Sequence, residues 1–205
     1  MLISFCLDRP ILELVRWANV RGLPGDIVRT LESFKEFGQF FAIVVACLLI
    51  FILDKPRRSL LPRLIICILL PSVLFCWPTK RVVHRLRPRQ ADYYDTVLDL
   101  GFFLGQDPKL PALEVSLPNQ DKIAVNKYLP PSEKRSFPSA HTAAAFAFAF
   151  GLAALYPPAR WIFYALAIGC GVHRILFDSH WFSDVVASVF IGLLVARAVW
   201  NWRKK

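Results

Sequence analysis

Metal-ligand spacing is missing from this chain. Its five cysteines (Cys6, Cys47, Cys67, Cys76 and Cys170) are odd in number and scattered, and none pairs with a nearby His or Cys at ligand spacing. They read as buried free thiols acting as small apolar residues, so neither a metal nor another cofactor is expected. No internal repeat or low-complexity tract occurs, which sets aside solenoid and fibrous architectures. The N-terminus has no uninterrupted apolar core followed by small residues, because Asp8, Arg9 and Pro10 break it early, and it is not expected to act as a cleavable signal. Acidic residues are few, fifteen against twenty-five Lys and Arg, for a net charge of +10. The excess base forms no stripe interleaved with aromatics, so a nucleic-acid partner is not expected.

What the chain has in abundance is apolar sequence: 56% of its 205 residues are hydrophobic and its mean hydropathy is +0.44. That places it among membrane proteins of about one domain. Phe37–Leu53, Leu60–Pro78, His141–Tyr156, Trp161–Phe177 and Trp181–Trp200 form five candidate spans, each at or below the roughly 20 residues that a hydrocarbon core requires. Trp77, Tyr156, Trp161, Trp181, Trp200 and Trp202 mark their ends, as aromatic rings do at headgroup depth. Five such runs leave too little polar face for a soluble protein with buried helices.

Before the first span, Leu7, Ile11, Leu14 and Ala18 share one helical stripe, while Arg9, Glu13 and Arg16 share another. Ile27, Leu31 and Phe34 repeat the pattern after the break at Gly22–Gly25. Residues 1-36 are therefore expected to form amphipathic surface helices, with a sixth span as the alternative, and residues 37-205 the membrane domain. The expected fold is all-α: a polytopic membrane helical bundle of about five to six transmembrane helices. The long polar segment 89-137 is expected to be an extracytoplasmic loop. Within it, Tyr93-Tyr94, Leu100–Leu104 and Leu110–Leu117 could build a lid over the membrane surface, or the segment could be plain connection.

Alternation of the five spans places Lys55, Arg57, Arg58, Arg63, Arg160, Arg203, Lys204 and Lys205 on one face in short loops and a tail, with Asp54 the lone nearby acid. The positive-inside rule makes that face cytoplasmic. The same alternation brings three clusters of ionisable residues to the opposite face. Ionisable groups beside a bilayer are costly unless they bind something, so these clusters carry the functional reading.

The first cluster is Lys80-Arg81-Val82-Val83-His84-Arg85-Leu86-Arg87-Pro88. Spacings of four and three put Lys80, His84 and Arg87 on one helical face, and Pro88 is expected to stop the helix. Lys80 offers a compact charge and Arg87 a planar fork for phosphate oxygens. Arg81, Arg85 and Arg89 read as contacts to lipid headgroups. The second cluster, Pro138-Ser139-Ala140-His141, opens an apolar helix whose unpaired amides favour an anion. Ser139 is either a phosphate ligand or a helix cap, and His141 is a titrating imidazole or a structural one. In the third, Arg174 supplies a guanidinium from the loop before the fifth span. His180 and Asp184 lie one helical turn apart, so the carboxylate can hold one ring nitrogen protonated and leave the other as a nucleophile. A structural ion pair is the alternative for those two.

Together the clusters resemble the phosphatidic-acid-phosphatase type 2 superfamily, integral membrane lipid phosphatases that share a site with vanadium haloperoxidases. The family pattern K-x6-R-P, P-S-G-H and S-R-x5-H-x3-D is met here by Lys80-x6-Arg87-Pro88, Pro138-Ser139-Ala140-His141 and His173-Arg174-x5-His180-x3-Asp184. Ala140 stands where the family has Gly, and His173 where it has Ser. The resemblance implies a metal-independent phosphatase acting on a lipid phosphate, with membrane lipids around it. It assigns His180 as nucleophile, Asp184 as its orienting carboxylate, His141 as acid and base, and Lys80, Arg87, Ser139 and Arg174 as phosphate ligands. It also implies a bacterial inner membrane with the site facing the periplasm or exterior. Candidate substrates are phosphatidylglycerol phosphate, phosphatidate, undecaprenyl diphosphate and the phosphate of a lipid A. The rival classes are an anion or lipid transporter or channel, which would place charge near span centres, and a catalytically silent lipid-binding member. Oligomeric state is left open.

Overall fold

The computed structural model describes residues 2–83, 85–90, 114–115, 123–124 and 135–202. Most of the segment 89-137, the lid proposed within it, His84 and the basic tail at 203–205 lie outside the described residues. Apart from one two-residue antiparallel pairing, β1 (Glu114–Val115) with β2 (Ile123–Ala124), the described chain is helical.

Each of the five apolar runs forms a helix. Three short helices come first, α1 (Leu2–Cys6), α2 (Asp8–Trp17) and α3 (Gly25–Ser33), followed by α4 (Phe40–Leu53), α5 (Leu61–Leu70) and α6 (Trp77–Val82). After the long segment come α7 (Ala140–Leu155), α8 (Arg160–Leu176) and α9 (Phe182–Asn201). A π-helical turn, Pro71–Cys76, joins α5 to α6, absorbing the amide that Pro71 lacks, and the helical path runs from Lys55 to Val82.

By length and composition two helices, Lys55–Val82 and Phe182–Asn201, suffice to cross a membrane. A third qualifies if Gly25–Gly38 and Phe40–Leu53, bent by 63° at their junction, count as one. At 1.5 Å per residue, α7 and α8 reach only about 24–26 Å, short of a hydrocarbon core of about 30 Å without their flanking turns. The expected division at 36/37 falls inside the turn Phe34–Gly38, which packs against α8.

Helix α7 sits at the centre. Its sequence, AHTAAAFAFAFGLAAL, alternates methyl-sized and aromatic side chains, and eleven of its residues are buried. Packing is heaviest against α8 and α9, then α5. Small residues permit this closeness: a Cβ at Gly192 of α9 would stand 2.5 Å from the Ala143 carbonyl oxygen. Large apolar side chains face the other way. Phe41, Leu48 and Ile52 of α4, Ile66, Leu69 and Leu74 of α5 and the π turn, and Phe190 and Leu194 of α9 are all exposed. An interior of small residues inside an apolar exterior is the arrangement of a helix bundle solvated by lipid.

Helix α2 turns a different stripe inward from the one its pattern suggests. Asp8, Leu12 and Val15 are buried, whereas Leu7 and Leu14 are exposed. An acid thus leads the buried face, for a reason found at the site.

At the bundle end away from the three clusters, Arg57 donates to Asp54 at 2.7 Å and Tyr156 donates to the same carboxylate at 2.8 Å. Arg57, Arg58, Arg63 and Arg160 lie over the rings of Tyr156, Phe51, Trp200 and Trp161. Cations stacked on aromatics suit a headgroup boundary.

Candidate active site

Four helix ends come together: the end of α6, the start of α7, the end of α8 and the start of α9. The α8–α9 connection is tight. Asp178 takes a left-handed φ of 50°, and the amides of Ser179 and His180 both return to the Arg174 carbonyl, at 3.1 and 3.0 Å. This folds His180 back beneath the end of α8, where it is 2% exposed. Arg174 lies in the last turn of α8 rather than in the loop, and its buried Nε has no hydrogen-bond partner among the described residues.

Asp184 is fully buried in the first turn of α9. One carboxylate oxygen, Oδ2, accepts from the Trp181 amide at 3.0 Å and from the Ser136 hydroxyl. The Nδ1 of His180 lies 3.6 Å from the same oxygen, longer than a hydrogen bond. Burial pushes the His180 imidazole down to about 4, with Arg174 and Arg87 adding to the effect and Asp184 opposing it. The ring is therefore neutral near pH 7, the state a nucleophile needs. Because folding depresses this group, the unfolded chain takes up its proton below about pH 6.5 while the folded one does not. The associated stability is present above that pH and is lost as pH falls toward 4. In a pH–rate profile from 4 to 8, the acid limb of kcat/KM is expected below pH 6.5; a limb above it would contradict a neutral buried ring.

Arg87 donates to the Ser179 carbonyl at 2.8 Å, which fixes it beside the His180 loop. Lys80 is within electrostatic reach of Arg87, Arg174 and Asp184. His141, half-buried at the start of α7, feels Arg174, Lys80 and Arg87. Three cations and two imidazoles thus converge at one end of the bundle, where their mutual repulsion would be relieved by a bound anion.

Several expectations need correcting. Helix α6 ends at Val82, with Val83 already extended, so Lys80 and Arg87 share no helical face and Pro88 is not what stops the helix. Lys80 lies within electrostatic reach of Arg87 without sharing a helix with it. Ser139 acts as the cap of α7: its hydroxyl accepts from the Thr142 amide at 3.5 Å and lies 2.9 Å from the Thr142 hydroxyl. Its own amide donates to Ser188 at 2.8 Å. His173 is buried and stacked on Phe177 with ring centres 4.4 Å apart.

The largest correction concerns Arg85. It does not reach lipid headgroups; it is 1% exposed and forms ion pairs with Asp184 and, at 2.5 Å, with Asp8. Residues missed in the sequence are therefore Arg85, Asp8, Ser136 and Ser183. One signal was available for Asp8, which stands one turn before Leu12 on an otherwise apolar face.

A family profile described as the PAP2 superfamily matches residues 60–205. No curated protein matches the chain. The crystal structure of Aquifex aeolicus LpxE is similar at 22% identity, with a TM-score of 0.61 over 93% of this chain and 94% of that one, which establishes a shared fold. The family match and the shared fold define a membrane-associated helical protein of the PAP2 type. The chain belongs to the PAP2 superfamily.

Proposed function

We propose that this protein hydrolyses a phosphate monoester or diphosphate of a membrane lipid through a phosphohistidine intermediate. The carrying observation is the convergence of Lys80, Arg87, Arg174, His141 and His180 at one end of the bundle. The unprotonated ring nitrogen of His180 attacks phosphorus as the bond to the lipid oxygen breaks. His141 gives that oxygen its proton, then takes one from the water that cleaves the phosphorus–nitrogen bond. Asp184 holds the proton on Nδ1 and balances the charge the ring acquires. Lys80, Arg87 and Arg174 surround the equatorial oxygens together with amides at the start of α7, and Ser139 orders that turn as its cap. These fixed cations supply the charge neutralisation that a divalent ion supplies elsewhere, so the reaction is independent of metal.

A lipid substrate is supported by the surroundings of His141. It opens on a groove of about 390 Å³ that includes Gly38, Phe40 and Ser72. Phe40, Ile43, Ile68 and Leu69 continue from it into an apolar groove of about 420 Å³ between α4 and α5. A phosphate headgroup at His141 would leave its hydrocarbon chain beside these side chains.

The reading places five crossings in the bundle: α4, the path Lys55–Val82, α7, α8 and α9, with residues 1-36 along the surface and 37-205 as the membrane domain. The end bearing Arg57, Arg58, Arg63 and Arg160 is cytoplasmic, so the site faces the periplasm or exterior of a bacterial inner membrane. Purified protein incubated in EDTA with phosphatidate, phosphatidylglycerol phosphate, undecaprenyl diphosphate and lipid A is expected to release phosphate from at least one, and vanadate is expected to suppress the release. Loss of activity in EDTA, or indifference to vanadate, would count against the site as drawn.

A further inference from the structure

The orienting carboxylate is itself held by a buried network that reaches into the N-terminal helix. Asp8 is 3% exposed. Its Oδ1 accepts from the Ser183 amide at 2.8 Å and its Oδ2 from the Ser183 hydroxyl at 2.7 Å. The same Oδ2 accepts from Arg85 Nη2 at 2.5 Å. The other guanidinium nitrogen, Nη1, donates to Ser183 Oγ at 2.7 Å and to Asp184 Oδ1. Aromatic rings flank the guanidinium, Phe5 at 5.3 Å and Trp181 at 5.2 Å. The backbone of this segment is tied down too: the Arg85 carbonyl accepts from the Ser136 amide at 2.8 Å, and Trp181 Nε1 donates to the Leu86 carbonyl at 2.7 Å.

This arrangement divides the labour of Asp184 between its two oxygens. Arg85 occupies Oδ1 and thereby fixes the plane of the carboxylate, leaving Oδ2 toward His180 Nδ1. A guanidinium paired with Asp184 alone would neutralise it and weaken its hold on the ring. The second carboxylate, Asp8, shares that positive charge, so the three groups together carry one net negative charge facing His180. Arg16 of the same helix adds a contact, donating to the Pro88 carbonyl at 3.3 Å next to Arg87.

We propose that Asp8 and Arg85 are positioning residues for Asp184, which makes the N-terminal helix a working part of the active site as well as a surface element. The inference rests on the assignment of His180 and Asp184 above. It acts through Asp184 and touches no substrate, so its signature is coupling. In full-length protein in detergent, Asp8→Asn is expected to lower kcat roughly tenfold or more with KM nearly unchanged, the range seen for outer-shell partners. Added to Asp184→Asn, it is expected to cost nothing further, because the group it acts through is already gone. Ser183→Ala removes the bridging hydroxyl with less disturbance and is expected to show the same coupling with a smaller loss, which covers the case in which Asp8→Asn does not fold.

A second readout needs no turnover. In protein labelled with 15N-histidine, with the signal assigned through His180→Gln, Asp8→Asn or Ser183→Ala is expected to shift the His180 Nδ1 resonance. Unchanged kcat, the same fold-loss with and without Asp184→Asn, or an unmoved His180 resonance would each overturn the proposal. A wild-type protein inactive on every lipid phosphate would overturn the function instead, while the resonance would still report on the network.

Discussion

Replacing His180 with Gln is expected to abolish phosphate release, with a loss on the order of 10⁴-fold or more, while the protein remains folded and monodisperse in detergent. Both halves follow from its setting. Among the described residues no other side chain combines a nucleophilic nitrogen, an orienting carboxylate at 3.6 Å and nearby Arg87 and Arg174. If a covalent phosphoryl intermediate forms on this ring, its removal leaves only binding and charge stabilisation. The fold should tolerate the change because Nδ1 makes no hydrogen bond among the described residues, so a side chain of similar size forfeits only the 3.6 Å approach to Asp184. Steady-state phosphate release and a thermal melt on the same preparation check the two halves together. Near-normal turnover in a folded variant would remove His180 from the mechanism.

The largest loss of stability is expected from Arg85→Met, about 3–5 kcal/mol, as for other buried ion pairs deprived of one partner. The pair is not at a surface: Arg85, Asp8 and Asp184 are 1%, 3% and 0% exposed in their side chains. Without the guanidinium, two buried carboxylates face each other beside Phe5 and Trp181 with their shared cation gone. Arg81→Met is the contrasting case. Arg81 is exposed and lies over the Trp77 ring at 3.6 Å, so its replacement should change stability by no more than about 0.5 kcal/mol. Denaturant unfolding in a fixed detergent measures both. Equal effects at the two positions would mean that Arg85 contacts headgroups after all. Combining Arg85→Met with Asp8→Asn should recover part of the loss, since one of the two opposed charges is then gone.

The helices were legible because each depends on a local property. Runs such as Phe40–Leu53 are apolar on every side, and lipid or protein satisfies any face they present. The three charged clusters were legible as segments. The five crossings used to bring them to one face are not matched by the helices, of which two or three among the described residues suffice to span by length and composition. Less legible was the path between Lys80 and Arg87, where helical spacing suggested one face and the chain instead leaves the helix at Val82. Spacing rules hold only where the helix continues, and nothing in Val82-Val83 announces its end. The inward stripe of α2 was misjudged for a related reason. Periodicity ranks faces by apolarity, whereas here a carboxylate is drawn inward by a partner 77 residues away.

The order of the residues alone determined that this chain is a membrane-associated helical protein and which of its segments carry the charged clusters. Those features need only hydropathy and composition, whereas His180 stands in the bend before α9 rather than on its first turn. Which cation neutralises Asp184, and that the counter-charge comes from Asp8 at the far N-terminus, was decided by tertiary structure. A buried charge is stable only beside its complement, and the complement here is supplied by helix ends that approach each other only once the bundle has closed.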